Sequence, residues 1–145
     1  RGVRQGCLLS PQLFNIYAEA IMKESMEGVE DGVLVGGHLV QAVRFADDQA
    51  MIASSVNGLQ NIMTKLNNTV KEFKMRINEK KTKVMKIGRG EAEEVKITIN
   101  GNELEQVHQF KYLGTLITED GRSERNQGPD QHGKRGLRKT SEVTR

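Results

Sequence analysis

Leu59, Ile62, Met63, Leu66, Val70 and Phe73 follow one another at intervals of 3, 1, 3, 4 and 3 residues, the spacing of one face of an α-helix. The stretch that carries them, 54–78, is the clearest helix of the chain, and a stripe of this kind is first of all a core-packing face. A second helical pattern opens the sequence. Ser10 offers an N-cap, and Pro11 suits the first helical position, where its missing N–H costs nothing. Leu13, Tyr17, Ala20 and Ile21 then repeat at helical spacing, and Gly28 is a stop.

Between these helices the period changes to two. Val33 to Val35 and Leu39 to Val43 are apolar runs separated by the turn signal Gly36-Gly37. Val43 to Ala46 and Gln49 to Ala53 flank Asp47-Asp48, which outlines a hairpin with two aspartates at its tip. Further on, KTKVMKIG alternates like a strand, and EVKITINGNELEQVHQF is a β-hairpin turning at Asn100-Gly101. KYLGTLITEDG adds one short strand that ends in a turn. The order predicts an α+β fold, with helices packed on one face of an antiparallel sheet. After Gly121 the pattern fails: Leu137 is the one large aliphatic residue before Val143, and residues 122–145 read as a disordered basic tail.

Composition narrows the class. No apolar run approaches the roughly 20 residues of a membrane span, and the single Cys7 rules out an internal disulfide and fits a reducing compartment. The net charge of +3 suggests nucleic acid, but it is unevenly placed. Residues 1–120 carry 15 Lys+Arg against 16 Asp+Glu, and residues 121–145 carry 7 against 3. Within the body, Lys65 to Lys86 holds eight basic residues against Glu72 and Glu79, either a nucleic-acid stripe or a solvated helix face. The chain opens at Arg1 inside a loop pattern, so it reads as a piece of something longer.

Two constellations carry candidate chemistry. Adjacent carboxylates repel one another and are depleted from strands, so Asp47-Asp48 is either a polar turn or a holder of something positive. Hard divalent cations take one or two carboxylates and complete their shell with water and phosphate. The second constellation is GVRQGCLLSP, where glycines around Arg4-Gln5 allow close backbone approach ahead of a helix N-terminus.

Taken together, GVRQGCLLSPQLFNIY, FADD, INEKKTKVM and FKYLGTLIT resemble, in order and spacing, the palm of reverse transcriptases. The likeness is greatest to those of LINE-type (non-LTR) retrotransposons, and it covers residues 1 to about 121. The resemblance implies a partial polymerase palm over 1–121 with the start of a thumb connection. It implies an RNA-directed DNA polymerase acting on an RNA template, a DNA primer and deoxynucleotide triphosphates by two-metal transfer. Asp47 and Asp48 become catalytic ligands of Mg²⁺ (or Mn²⁺), with Asp47 the direct one. Arg4, Gln5, Gly6, Phe45 and Lys83 are implied at the nucleotide and template, with Lys80 and Lys81 as alternatives to Lys83. Tyr112, Leu113 and Gly114 are implied as the primer grip. Leu8 stands where Pro is commoner. Gln49 stands where the family has an aliphatic residue, and is expected to find a hydrogen bond or to weaken the hairpin.

The family's further catalytic aspartate lies on a strand upstream of the Gln-Gly loop. The expectation is therefore that an N-terminal part of the polymerase is absent and that the chain is inactive alone. Asp31 and Asp120, each before a glycine, are no replacements. With codons chosen to suit, NQGPDQHGKRG read one nucleotide later gives IKDQISMAKEA, which resembles the family's segment just beyond the primer grip; this implies a frameshift near Asn126. Family also implies an intracellular protein, nuclear or cytoplasmic, with no membrane partner. The alternative, of another class, is a non-catalytic nucleic-acid-binding remnant or a domesticated fragment, using the Lys65–Lys86 stripe.

Overall fold

In the computed structural model, residues 8–46, 48–88 and 94–125 are described, and they divide into two compact units, up to Ile77 and from Asn78. Arg4, Gln5, Gly6, Cys7, Asp47 and the tail from Asn126 lie outside the described residues. The element order is mixed α+β, as the sequence pattern predicts.

The first unit holds α1 (Ser10–Met26), β1 (Val33–Val35), β2 (His38–Val40), β3 (Ala42–Phe45), β4 (Asp48–Met51) and α2 (Val56–Glu72). The α2 stripe folds as its spacing predicts: Ile62, Met63, Leu66 and Val70 are buried. Leu66 and Val70 pack with Ile21 and Met22 of α1, and Met26, Ala42, Met51, Phe73, Met75 and Ile77 close around them. Tyr17 adds a rim contact: its ring meets Phe73 edge-on at 5.3 Å and its hydroxyl donates to the Phe73 carbonyl at 2.7 Å.

The helix ends are built differently from one another. In α1 the N-cap is Leu9 rather than Ser10, which lies inside the first turn, so no side chain caps that end. Leu13 is half exposed, because only the later turns of α1 reach the core. Gly28 stops the helix with φ 66, a conformation that costs glycine nothing. In α2, Ser55 is the N-cap and its hydroxyl accepts from the Gly58 N–H at 3.0 Å. At the other end Met75 N–H donates to Val70 O and Lys74 N–H to Lys71 O, a Schellman closure. Its left-handed residue is Lys74, at φ 61.

The apolar run expected over Leu39–Val43 breaks at Gln41. The Gln41 side-chain amide donates to Val29 O at 2.7 Å and to Asp31 O at 2.9 Å, and its own carbonyl accepts from Ile52 N–H. The strand therefore changes partner there: β2 pairs with β1, and β3 with β4.

The second unit holds β5 (Lys83–Val84), β6 (Thr98–Ile99), β7 (Asn102–Glu103), β8 (Glu105–Gln106), β9 (Gln109–Tyr112), β10 (Thr115–Thr118) and β11 (Ser123–Arg125). Asn100-Gly101 makes the predicted turn, with φ 52 and 83, the left-handed pair that a two-residue hairpin requires. KYLGTLIT gives a hairpin of β9 and β10 rather than one strand, with β11 on the far side of β10. Val84, Val95, Ile97, Ile99 and Leu104 are buried.

The single antiparallel sheet predicted from the sequence is replaced, among the described residues, by separate small ladders, one of them the parallel pair β5–β8. Alternation fixes which way a strand faces but not which strand lies beside it. Here tight two-residue turns close β1–β2, β3–β4, β6–β7 and β9–β10 locally instead.

Candidate functional site

The β3–β4 hairpin is fixed in register by Ala42↔Met51, Val43↔Ala50, Arg44↔Gln49 and Phe45↔Asp48. Ala42 and Met51 pack on the helical core, so alternation puts Arg44 and Gln49 on that same side. Arg44 meets Glu19 of α1 there, Nη2 to Oε2 at 2.7 Å. Val43, Ala50, Phe45 and Asp48 share the opposite face. Phe45 is 63% exposed on it and Asp48 is half-buried. The carboxylate of Asp48 thus sits on a rigid ladder, beside an open aromatic surface.

The tip differs in detail from the sequence expectation. Asp48 is the first residue of β4 and not part of the turn; two residues separate it from its partner Phe45, and the first of them, Ala46, has φ 52. An L-residue in this conformation costs about 1–2 kcal/mol. Ala46→Gly relieves that strain and restores about 0.4–1 kcal/mol of unfolded-state freedom. The expected net effect is a slight rise in the urea midpoint, and a fall would show that the turn does not hold Ala46 left-handed.

Gln49 is half-buried opposite Arg44, and no buried side-chain nitrogen or oxygen among the described residues lacks a partner. The other turn aspartates are fully committed. Asp31 Oδ1 accepts from the Ser54 N–H at 2.8 Å and the Ser54 hydroxyl at 2.7 Å, and Oδ2 from the Ser55 hydroxyl at 2.6 Å. These hydroxyls, Ser55 first, lower its pKa to about 2. Asp120 accepts from the Thr118 hydroxyl and from Arg122 N–H, and the Thr118 bond foremost holds its carboxyl below the usual range. Among the described residues no group of three or more His, Cys, Asp or Glu is arranged to hold a metal ion.

Of the second unit's candidates, Lys83 lies opposite Glu105 in the β5–β8 register, and its Nζ meets Glu105 Oε2 at 2.5 Å. That partner has no sequence signal, since 22 residues separate the two. Lys80 is exposed and Lys81 half-buried; the loop around them is pinned by Asn78, whose carbonyl accepts from Lys81 N–H, Thr82 N–H and the Thr82 hydroxyl. Glu79 accepts from the side-chain amides of Asn100 and Asn102, both at 2.7 Å.

Tyr112, Leu113 and Gly114 come together at the β9–β10 tip. Leu113 has φ 48 and Gly114 φ 82, and Leu113 is 51% exposed. A leucine in left-handed backbone with its side chain in solvent is strained and unsheltered at once. Leu113→Asn, which tolerates this backbone better, keeps the turn while removing the apolar tip.

Comparison with known proteins adds a second line. The family model described as reverse transcriptase (RNA-dependent DNA polymerase) matches residues 1–117. The chain is 30% identical over 131 residues to the retrovirus-related Pol polyprotein from type-1 retrotransposable element R2 of Nasonia vitripennis, covering 83% of this chain and 13% of that protein. Its counterpart in Bradysia coprophila is also 30% identical over 131 residues, covering 83% and 15%. The Pol polyprotein from type-2 retrotransposable element R2DM of Drosophila melanogaster is 28% identical over 140 residues, covering 90% and 13%. The chain therefore spans between 13% and 15% of the length of these relatives.

Proposed function

Because this chain belongs to the reverse transcriptase family of non-LTR retrotransposons, we propose that it is part of the palm of an RNA-directed DNA polymerase. The intact enzyme would join deoxynucleotides to a DNA primer on an RNA template. The observation that carries this reading is the β3–β4 hairpin, which pairs Asp48 with the exposed Phe45 in register, on the face that alternation turns away from the helices.

Asp47 and Asp48 are the residues that would hold Mg²⁺ or Mn²⁺. Adjacent carboxylates supply the hard oxygen donors these ions prefer, and Asp48 is half-buried at the start of a paired strand. Bound there, such an ion supplies Lewis-acid stabilisation to the attacking and leaving oxygens of nucleotidyl transfer. Phe45 offers its ring to the primer end. Tyr112, Leu113 and Gly114 set the primer terminus. Lys83 would meet nucleotide phosphate on release from Glu105, and Arg4, Gln5 and Gly6 would flank the incoming nucleotide and template base.

A complete two-metal centre requires a further carboxylate; Asp31 is bonded to Ser54 and Ser55 at the start of α2, and Asp120 is bonded within its own turn. The chain by itself is therefore not expected to extend an oligo-dT primer on poly-rA. Extension that Asp47→Ala abolishes would contradict this.

The test of the reading is equilibrium binding of dTTP to the purified chain. Binding is expected to require Mg²⁺ and to weaken at least about tenfold in the Asp47→Asn, Asp48→Asn double variant, one well-placed charged contact being worth on the order of 1.5–3 kcal/mol. Metal-independent binding, or binding indifferent to both changes, would leave the nucleic-acid-binding remnant as the better account.

A further inference from the structure

The eight basic residues between Lys65 and Lys86 read in sequence as one stripe, but in the structure they differ in what each one meets. Lys65 Nζ donates to Glu27 O at 2.9 Å and so closes the end of α1. Lys83 is paired with Glu105, and Lys71, Lys81 and Lys86 have partners of their own. Lys80 belongs to the second unit. Lys74 and Arg76 are left. Both are exposed, and among the described residues neither takes part in an ion pair or side-chain hydrogen bond.

We infer that Lys74 and Arg76 form a docking pair for the phosphate backbone of single-stranded nucleic acid. The segment is held rigid from one side only. Phe73, Met75 and Ile77 pack against the helical core, and the intervening Lys74 and Arg76 point outward. Two long cations are thus displayed by a pinned backbone, which reduces the ordering cost of binding.

Lys74 also occupies the left-handed position that closes α2, where glycine is the unstrained choice. A lysine here carries backbone strain that glycine would not. Attraction to the carbonyl end of α2 favours cations in the last turn, but that effect dies away within the turn and does not extend to Arg76.

Phosphodiester is the favoured partner over an anionic lipid surface. A membrane-binding segment would present apolar side chains beside its cations. Here the neighbouring apolar residues are turned into the core. Guanidinium and ammonium together suit phosphate oxygens, one as a planar fork and the other as a point charge.

The experiment is fluorescence-anisotropy titration of a labelled single-stranded RNA with the full chain at several salt concentrations. Lys74→Gly and Arg76→Gln are each expected to weaken binding about threefold or more at low salt and to reduce the salt slope by about 0.7, the value for one phosphate contact on a single strand. Lys74→Gly also relieves the backbone, so its Tm should hold or rise, which separates lost contact from lost fold. Lys74→Arg should retain the slope. Unchanged slopes in both variants overturn the inference. So does tighter binding to phosphatidylserine vesicles than to RNA, if the same two variants abolish it. The inference is independent of the polymerase reading: Lys74→Gly should leave Mg²⁺-dependent dTTP binding intact, and failure of dTTP binding in the unaltered chain would not change the RNA slopes.

Discussion

Replacing Gly58 by alanine should destabilise the first unit by about 2 kcal/mol, although alanine is the better helix former. A Cβ at this position would fall 1.5 Å from Asp31 Oδ2, 2.2 Å from its Cγ and 2.7 Å from its Cβ. The whole Asp31 side chain would have to leave. With it go the bonds from Ser54 and Ser55 that tie the loop before β1 to the start of α2. Alanine's helix preference returns about 1 kcal/mol, against overpacking of about 1–3 kcal/mol and a disturbed Ser55 cap of about 1 kcal/mol. Urea denaturation measures the difference. Asp31→Ala added to Gly58→Ala should cost less than the sum of the two, because both act through one contact.

The same clasp gives a pH signature. The folded pKa of Asp31 is about 2, below its ordinary 3.8. Its contribution is therefore complete above the unfolded value and disappears as pH falls from about 4 through 2. Asp31→Asn should flatten the acid limb of the stability profile in that window. An unchanged limb would show that the serine hydroxyls do not favour the charged carboxylate.

The larger effect is expected at Ile62. It is fully buried on α2, and Ile62→Ala should cost about 3 kcal/mol, transfer and cavity terms together. Leu59 begins the same stripe but is only half-buried, so Leu59→Ala should cost visibly less. The urea midpoints of the two variants make the comparison. Equal losses would mean that the stripe is uniformly packed and that the burial gradient along α2 is wrong.

The α2 stripe and the Asn100-Gly101 turn were readable in advance because their causes are local. Helical periodicity places a face, and only certain residues accept left-handed backbone cheaply. For the same reason Ala46, Lys74 and Leu113 were not readable as left-handed positions. Their side chains argue against that conformation, and the surrounding turns impose it. The four-block likeness to reverse transcriptases was also legible, and the family match over residues 1–117 accords with it.

Within the first constellation, the sequence pointed to a carboxylate pair between two strands, but the register put Asp48 inside β4 and Phe45 across from it. The basic stripe looked continuous because charge is counted along the chain. In the structure its members differ in what each one meets: Lys65 the end of α1, Lys83 the carboxylate of Glu105.

Local pattern alone was enough for the two helices, the turns at Gly36-Gly37 and Asn100-Gly101, the α+β class and the family, but not for the Leu113-Gly114 turn. Where strands find partners, which aspartates hydroxyls already take up, and which cations stay exposed depend on the folded arrangement. The physical reason is range. Periodicity and turn chemistry act over a few residues, whereas the Asp31 clasp and the Lys83–Glu105 pair join residues more than 20 apart, which no local pattern encodes.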